Sequence, residues 1–238
     1  RYLCFIIMLC SGFVYADLKS CGGKPIDPIT YKNDTTGMLD YRLATECHEL
    51  EMHDEAMMFL KQAIKKGNVN ATFNMGVYFD RGYGGEQDYE LAAVFYRKAI
   101  KHGVHTKAAY NNLGLLYQEG KISPQSNEKA ADHFLFASCL GHDRAQYHLG
   151  LMHLMAMIDS KMGDDAEFWL MQSAKRGNES AQYNLGRMYY HGDVIDTNLV
   201  AAQYWFKKAA DQGHFRARLY NVLVSLELWY DGQGDQDF

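Results

Sequence analysis

The chain has 238 residues, a formal net charge of -5 and 47% hydrophobic residues, enough for one sizeable core or two small ones. It has only three prolines, and this scarcity favours packed helices over strands joined by tight turns. The acidity is mild and no basic stripe runs along the sequence. The electrostatic signature of a nucleic-acid binder is therefore absent, and we expect no nucleic-acid partner.

The first sixteen residues predict a secretory signal peptide. Arg1 supplies a positive charge, residues 3–14 form a short apolar run, and Val14-Tyr15-Ala16 has small residues where a signal peptidase reads them. We therefore expect cleavage after Ala16 and a secreted or periplasmic protein with no integral membrane span in its mature form. The alternative is a protein that is anchored in the membrane by an uncleaved N-terminal segment.

Five cysteines are present, and Cys4 and Cys10 fall inside the predicted signal peptide. The other three are an odd number, so at least one of them stays free or pairs between molecules. A bond between Cys21 and Cys47 is the pairing to consider, since it would tie the N-terminal arm to the first helices. Cys139 is predicted to lie in a helical seam as a small, buried apolar residue.

Internal repeats decide the fold class. Four segments align with one another, and each opens on an alanine, contains an internal glycine and closes on a second glycine. A short insertion after the first segment falls in the turn between repeats, where extra residues cost little. The segments run from Ala71 to Gly103, from Ala109 to Gly141, from Ala145 to Gly177 and from Ala181 to Gly213.

The fourth segment shows the physical logic of the pattern. Ala181, Leu185 and Tyr189 recur every four residues and form one apolar stripe of a helix. Gly186 costs about 1 kcal/mol of helix propensity relative to alanine, which indicates that a neighbouring helix needs the space. Gly192-Asp193 then breaks the helix, and a second helix follows. Such a helix pair cannot bury its apolar face alone, so we expect the pairs to stack around a continuous core.

The recurring pattern Ala-x-x-x-Leu-Gly-x-x-Tyr-x-x-Gly, followed by a second helix with spaced alanines and aromatics, resembles the Sel1-like repeat of the tetratricopeptide-repeat superfamily. The resemblance implies an all-α fold, a right-handed α/α superhelical solenoid of stacked helix pairs. The expected organisation is an N-terminal linker over 17–37, a degenerate capping helix pair over 38–70, four repeats over 71–213, a C-terminal capping helix over 214–230 and a flexible tail over 231–238.

The third repeat departs from this pattern. His153 stands where an aromatic residue is expected, and Ala156 replaces the loop glycine. The loop from Met155 to Met162 is also unusually apolar for a turn. We expect a first helix that runs longer before it turns, and the alternative is a contact patch for a partner.

The resemblance also implies a binding surface. By analogy with tetratricopeptide solenoids, the first helix of each pair lines a concave face, and side chains around the Leu-Gly pair point into it. Asparagine can bond a peptide backbone in either sense, and tyrosine adds rigid amphipathic area. The same side chains could instead tie adjacent helices together. The candidate partner-binding residues are Phe73, Asn74, Asn111, Asn112, Tyr147, His148, Tyr183, Asn184 and Arg187.

We expect no enzyme, no cofactor and no metal site. Nucleotide-binding glycine loops, hydrolase elbows and paired-cysteine zinc motifs do not occur in the sequence. The spacing of His142, His148 and His153 does not place all three on one helical face. The chain is therefore expected to be an adaptor or scaffold that binds a peptide or a partner protein on its concave face.

Two other functions remain as alternatives. The first is a cell-wall or β-lactam-directed hydrolase, as in a cysteine-rich branch of Sel1-repeat proteins. That branch has a cysteine pair in each repeat, whereas Cys139 is the only cysteine in the four repeats. The second is a subunit in membrane-associated quality control, as in eukaryotic Sel1 relatives. Glycosylation sequons at Asn33, Asn70 and Asn178 are compatible with it.

Overall fold

The computed structural model describes residues 33–155, 166–192 and 195–234. These residues form eleven helices and no strand, which confirms the all-α fold. The helices are α1 (Met38–Glu49), α2 (His53–Lys65), α3 (Asn70–Arg81), α4 (Tyr89–Lys101), α5 (Thr106–Gln118), α6 (Asn127–Cys139), α7 (Asp143–Leu154), α8 (Ala166–Lys175), α9 (Glu179–His191), α10 (Leu199–Asp211) and α11 (Phe215–Gly234).

The chain divides into two compact units, Arg1–Gln125 and Ser126–Phe238. In the first unit each helix from α1 to α5 packs against the next helix along the chain. In the second unit the same holds from α6 to α11, and α9 also contacts α11. Packing between sequence neighbours is characteristic of repeat proteins, in which each repeat contacts only its neighbours. The hand of the superhelix stays a prediction.

The closing glycines end the repeats as the sequence predicts. All five have left-handed backbones, with φ between 70° and 102°, which glycine adopts without the strain that a Cβ would cause. The insertion after the first repeat lies in the turn before α5, where His105 also has a positive φ of 46°. The five glycines are Gly67, Gly103, Gly141, Gly177 and Gly213.

Internal glycines allow the two helices of a pair to approach closely. Phe206 on α10 is fully buried, and a Cβ added to Gly186 on α9 would lie 2.6 Å from Cδ1 of its ring. In the first unit, a Cβ added to Gly76 on α3 would lie 2.8 Å from the ring of Tyr96 on α4. The prediction that packing needs the space at Gly186 is therefore confirmed.

Three local predictions are wrong. The first helix of the third repeat does not run longer, because α7 ends at Leu154 and has the same 12-residue length as α3. Helix α11 continues to Gly234, so residues 231–234 are helical and not part of a tail, since no proline interrupts the run. Cys139 is exposed and free at the end of α6, because it follows the inward-facing Ala137 and Ser138 on the helix.

Other predictions fall on residues outside the described part of the chain. These are the signal peptide over 1–16, most of the linker, the end of the tail and the apolar loop after Met155. Cys47 is buried and disulfide-bonded, but Cys21, the partner that the sequence suggests, also lies outside. Among the helices that are described, none is both long enough and apolar enough to cross a membrane.

Helix α10 begins at a side-chain cap. The Oδ1 atom of Asn198 accepts a hydrogen bond from the backbone N–H of Ala201 at 2.9 Å. Since alanine has no acceptor to replace it, we expect Asn198→Ala to lower the free energy of unfolding by about 1 kcal/mol. Denaturant titration followed by tryptophan fluorescence measures this loss. Asp196→Ala, at an exposed residue just before the cap, is the control, and an equal loss there would contradict the capping role.

Candidate functional site

The first helices of the repeats carry the predicted binding residues. In the second unit these helices are α7, α9 and α11, and they share one register. Ala145, Ala181 and Ala217 occupy equivalent positions near their starts, and all three are fully buried. The positions that follow these alanines can therefore be compared from helix to helix.

Hydrogen bonds join neighbouring first helices in the second unit. The Nδ2 atom of Asn184 donates to Oη of Tyr147 on α7 at 3.5 Å and to the carbonyl oxygen of Ser180 at 3.0 Å. On the other side of α9, Oη of Tyr190 donates to Oε1 of Glu227 on α11 at 2.7 Å. Helices α7, α9 and α11 therefore lie side by side, and Asn184 and Tyr147 take part in the packing between repeats.

A hydrogen bond from asparagine to tyrosine also joins two first helices in the first unit. The Nδ2 atom of Asn74 on α3 donates to Oη of Tyr41 on α1 at 3.5 Å. On α5, Asn111 is buried and its Nδ2 donates to Oδ1 of Asn112 at 3.2 Å. The predicted asparagines thus make contacts within the fold, which was the alternative interpretation of their recurrence.

Two of the predicted aromatic residues pack on histidines at the start of the next repeat. Phe73 stacks on His105 with ring centroids 4.9 Å apart. Tyr183, with 9% of its surface exposed, stacks on His214 at 4.4 Å. Phe73 and Tyr183 therefore contribute mainly to the junction between repeats. Asn111 is likewise buried within the fold.

His148 is half-buried and stacks on Phe134 of α6, with ring centroids 5.0 Å apart. Burial lowers the pKa of His148 to about 4, and electrostatic interactions with His142 and Arg144 act in the same direction. The imidazole is therefore neutral at physiological pH. In that state it can both donate and accept hydrogen bonds at the surface.

Exposed and half-buried side chains on α7, α9 and α11 form what we call the first-helix face. Residues three or four apart share one side of a helix, so each helix contributes three positions to this face. The three arginines are exposed, and Leu223 is 43% exposed. The equivalent positions are Arg144, Ser180 and Arg216, then His148, Asn184 and Tyr220, and then Leu151, Arg187 and Leu223.

Sequence reasoning missed Arg144 and Arg216. No basic stripe is visible along the chain, because the two arginines lie two repeats apart. Extending the repeat register from Ser180 to its counterparts in the neighbouring helices would have found both. Of the residues that were predicted, the first-helix face retains His148, Asn184 and Arg187, with Tyr147 beside them.

The histidines considered as metal ligands have other contacts. Nδ1 of His142 accepts the backbone N–H of Ala145 at 3.2 Å and thereby caps α7, while His148 packs on Phe134. In the part of the chain that the structure describes, no group of three or more His, Cys, Asp or Glu side chains could hold a metal ion.

The contacts of Asn184 lead to a stability prediction. Because Asn184→Ala removes the two part-buried hydrogen bonds to Tyr147 and Ser180, we expect it to lower the free energy of unfolding by about 1 kcal/mol. Arg187→Ala, one turn along the same helix, should change it by less than about 0.5 kcal/mol, since that side chain is exposed. Denaturant titration distinguishes the two, and equal effects would contradict the different roles assigned to them.

Comparison with known proteins agrees with this architecture. The Sel1 repeat model matches residues 53–68, 69–104, 107–142, 143–157 and 179–214. Protein sel-1 homolog 2 of Rattus norvegicus is 31% identical over 90 residues, which are 37% of this chain and 13% of that protein. The chain thus spans only a small part of that relative.

Two solved structures share the helical-repeat fold. A Sel1 repeat protein from Oxalobacter formigenes has a TM-score of 0.68 at 24% identity, covering 81% of this chain and 78% of that chain. YrrB, a tetratricopeptide-repeat protein with an unusual peptide-binding site, has a TM-score of 0.53 at 18% identity, covering 81% of this chain and 94% of that chain. Since the Sel1 repeat matches cover more than half of the sequence, the chain belongs to the Sel1-repeat family.

Proposed function

We propose that this protein is an adaptor that binds a peptide or a partner protein through its first helices, outside the cytoplasm. The Sel1-repeat fold itself indicates a scaffold for protein–protein interaction. The observation that carries the proposal is the first-helix face, where exposed arginines and the exposed Leu223 surround half-buried amide and aromatic side chains. The peptide-binding site of YrrB, a protein of the same fold, supports a peptide as the ligand class.

The composition of the face suits peptide recognition. Asn184 has both an amide donor and a carbonyl acceptor, so it can bond a peptide backbone in either direction. Arginine and tyrosine are the side chains that most often dominate binding energy at protein interfaces. In the first unit, Asn74 and Asn112 are half-buried on the corresponding helices and supply the same chemistry.

A location outside the cytoplasm is the second part of the proposal. The predicted signal peptide supports it, and so does the disulfide bond of Cys47, because such bonds persist mainly in oxidising compartments. Mass spectrometry of the protein from its native source tests this part. The expected N-terminus is Asp17, whereas retention of residues 1–16 would support the membrane-anchored alternative.

The binding function is tested by affinity capture from an extract of the native host. The unmodified mature chain is compared with the variants Arg187→Ala and Lys207→Ala. Lys207 is exposed on α10, the second helix of its repeat. We expect a specific partner that Arg187→Ala recovers poorly and that Lys207→Ala recovers in full. Equal recovery by all three proteins would contradict a role for the first helices.

A further inference from the structure

We propose that the first-helix face of the second unit selects an acidic peptide segment that also carries apolar residues. This inference rests on the proposed function and names the chemistry of its ligand. It follows from the charge of the face, from the absence of a salt-bridge partner for its arginines among the described residues, and from the leucines beside them.

The charge of the face is opposite to that of the chain. Arg144, Arg187 and Arg216 are its fully charged side chains and all three are exposed, although the chain as a whole has a net charge of -5. In the described residues the recorded salt bridge joins Lys66 to Asp40, in the first unit. None of the three guanidinium groups is therefore neutralised by a described carboxylate within 4.0 Å.

Nearby carboxylates are engaged or placed elsewhere. Glu227, on α11, accepts the hydrogen bond from Tyr190. Asp143 and Glu179 lie at the first positions of α7 and α9, where a negative charge interacts favourably with the helix dipole. The positive charge of the arginines is therefore available to an external ligand.

Two of the three arginines lie near ring side chains of their own helix. The guanidinium carbon of Arg187 lies 5.9 Å from the centroid of the Tyr183 ring. Arg144 is near enough to His148 for its charge to contribute to the low pKa of that imidazole. Guanidinium groups bind carboxylates through two parallel hydrogen bonds, so these side chains favour aspartate and glutamate over neutral ligands.

The apolar positions complete the ligand description. Leu223 is 43% exposed and Leu151 is half-buried, and both occupy the position that Arg187 has on its own helix. An apolar side chain of the ligand can cover them, while acidic neighbours reach the arginines on either side. A segment that mixes acidic and apolar residues therefore matches the face better than a purely acidic one.

Fluorescence anisotropy with defined peptides tests the proposal. The probe is a labelled decapeptide of alternating glutamate and leucine, and the comparison peptide replaces each glutamate with lysine. We expect only the acidic peptide to bind, and its binding to weaken as the salt concentration rises. The triple variant Arg144→Gln, Arg187→Gln, Arg216→Gln should bind at least about tenfold more weakly, since charged contacts dominate such an interface.

Arg218→Gln is the matched control. Arg218 is exposed on α11 close to Arg216, but two residues correspond to a rotation of roughly 200° around a helix. This variant should bind within about twofold of the unmodified chain, because only nonspecific charge is lost. An unchanged circular dichroism melting curve verifies that each variant is folded.

Four results would overturn the inference, and three of them are comparisons. They are an equal loss in Arg218→Gln, equal binding of the lysine peptide, and equal binding of a single-stranded DNA of the same charge as the acidic peptide. Failure of the acidic peptide to bind would overturn it as well. If the partner captured from the native host still required Arg187, the proposed function would stand and only the ligand class would be wrong.

Discussion

Gly186→Leu should lower the free energy of unfolding of the second unit by roughly 3 kcal/mol, the upper end of the usual cost of overpacking. A Cβ at this position would lie 2.6 Å from Cδ1 and 2.7 Å from Cε1 of Phe206. Because Phe206 is fully buried between α9 and its neighbours, its ring has little room to retreat. The clash therefore outweighs the gain of about 1 kcal/mol in helix propensity.

Val222 provides the matched control for Gly186. It occupies the equivalent position on α11, where its side chain is 60% exposed. Val222→Leu should therefore change stability by less than about 0.5 kcal/mol. All three tryptophans, Trp169, Trp205 and Trp229, lie in the second unit, so their fluorescence during denaturation reports on that unit. A cost for Gly186→Leu no larger than for Val222→Leu would show that the close approach is unimportant.

Acid should destabilise the second unit through His148. Burial lowers the pKa of this imidazole from 6.5 to about 4, so the folded state favours its neutral form. Above pH 6.5 the imidazole is neutral in both the folded and the unfolded state, so His148 does not reduce the free energy of unfolding there. As the pH falls from 6.5 towards 4, the unfolded chain binds a proton that the folded chain resists. The associated loss of stability reaches up to about 3 kcal/mol.

His148→Asn tests this assignment, because Asn184 occupies the equivalent position in the next repeat. The variant should be somewhat less stable at pH 7, since the stacking on Phe134 is lost, but its stability should fall less between pH 7 and pH 4. His102→Asn, an exposed histidine of the first unit, serves as the control. If the pH dependence of stability were unchanged in His148→Asn, another titratable group would have to cause the acid sensitivity.

The repeat fold could be predicted because its requirements are local. A left-handed residue ends each second helix, and only glycine meets that requirement without strain, so Gly67 to Gly213 mark every repeat. Close approach of two helices likewise requires a residue with no side chain, so Gly186 indicated the packing. Such positions can be identified without knowing the neighbouring helices.

The binding face was less predictable because it depends on side-chain direction. Tyr183 and Asn184 are adjacent in the sequence, yet Tyr183 turns into the junction with His214 and Asn184 lies at the surface. The rotation of about 100° per residue separates them, but the repeat pattern alone does not say which side is covered. Arg144 and Arg216 belong to different repeats, and only the side-by-side packing of α7, α9 and α11 brings them to one face.

Site-specific photo-crosslinking in the native host tests most directly whether the first helices bind a protein partner. The photoreactive amino acid p-benzoylphenylalanine replaces Arg187 on α9 in one chain and Lys207 on α10 in another, both at exposed positions. The adaptor function predicts a discrete crosslinked partner from position 187 and none above background from position 207. Equal crosslinking from both positions, or none from position 187, would contradict it.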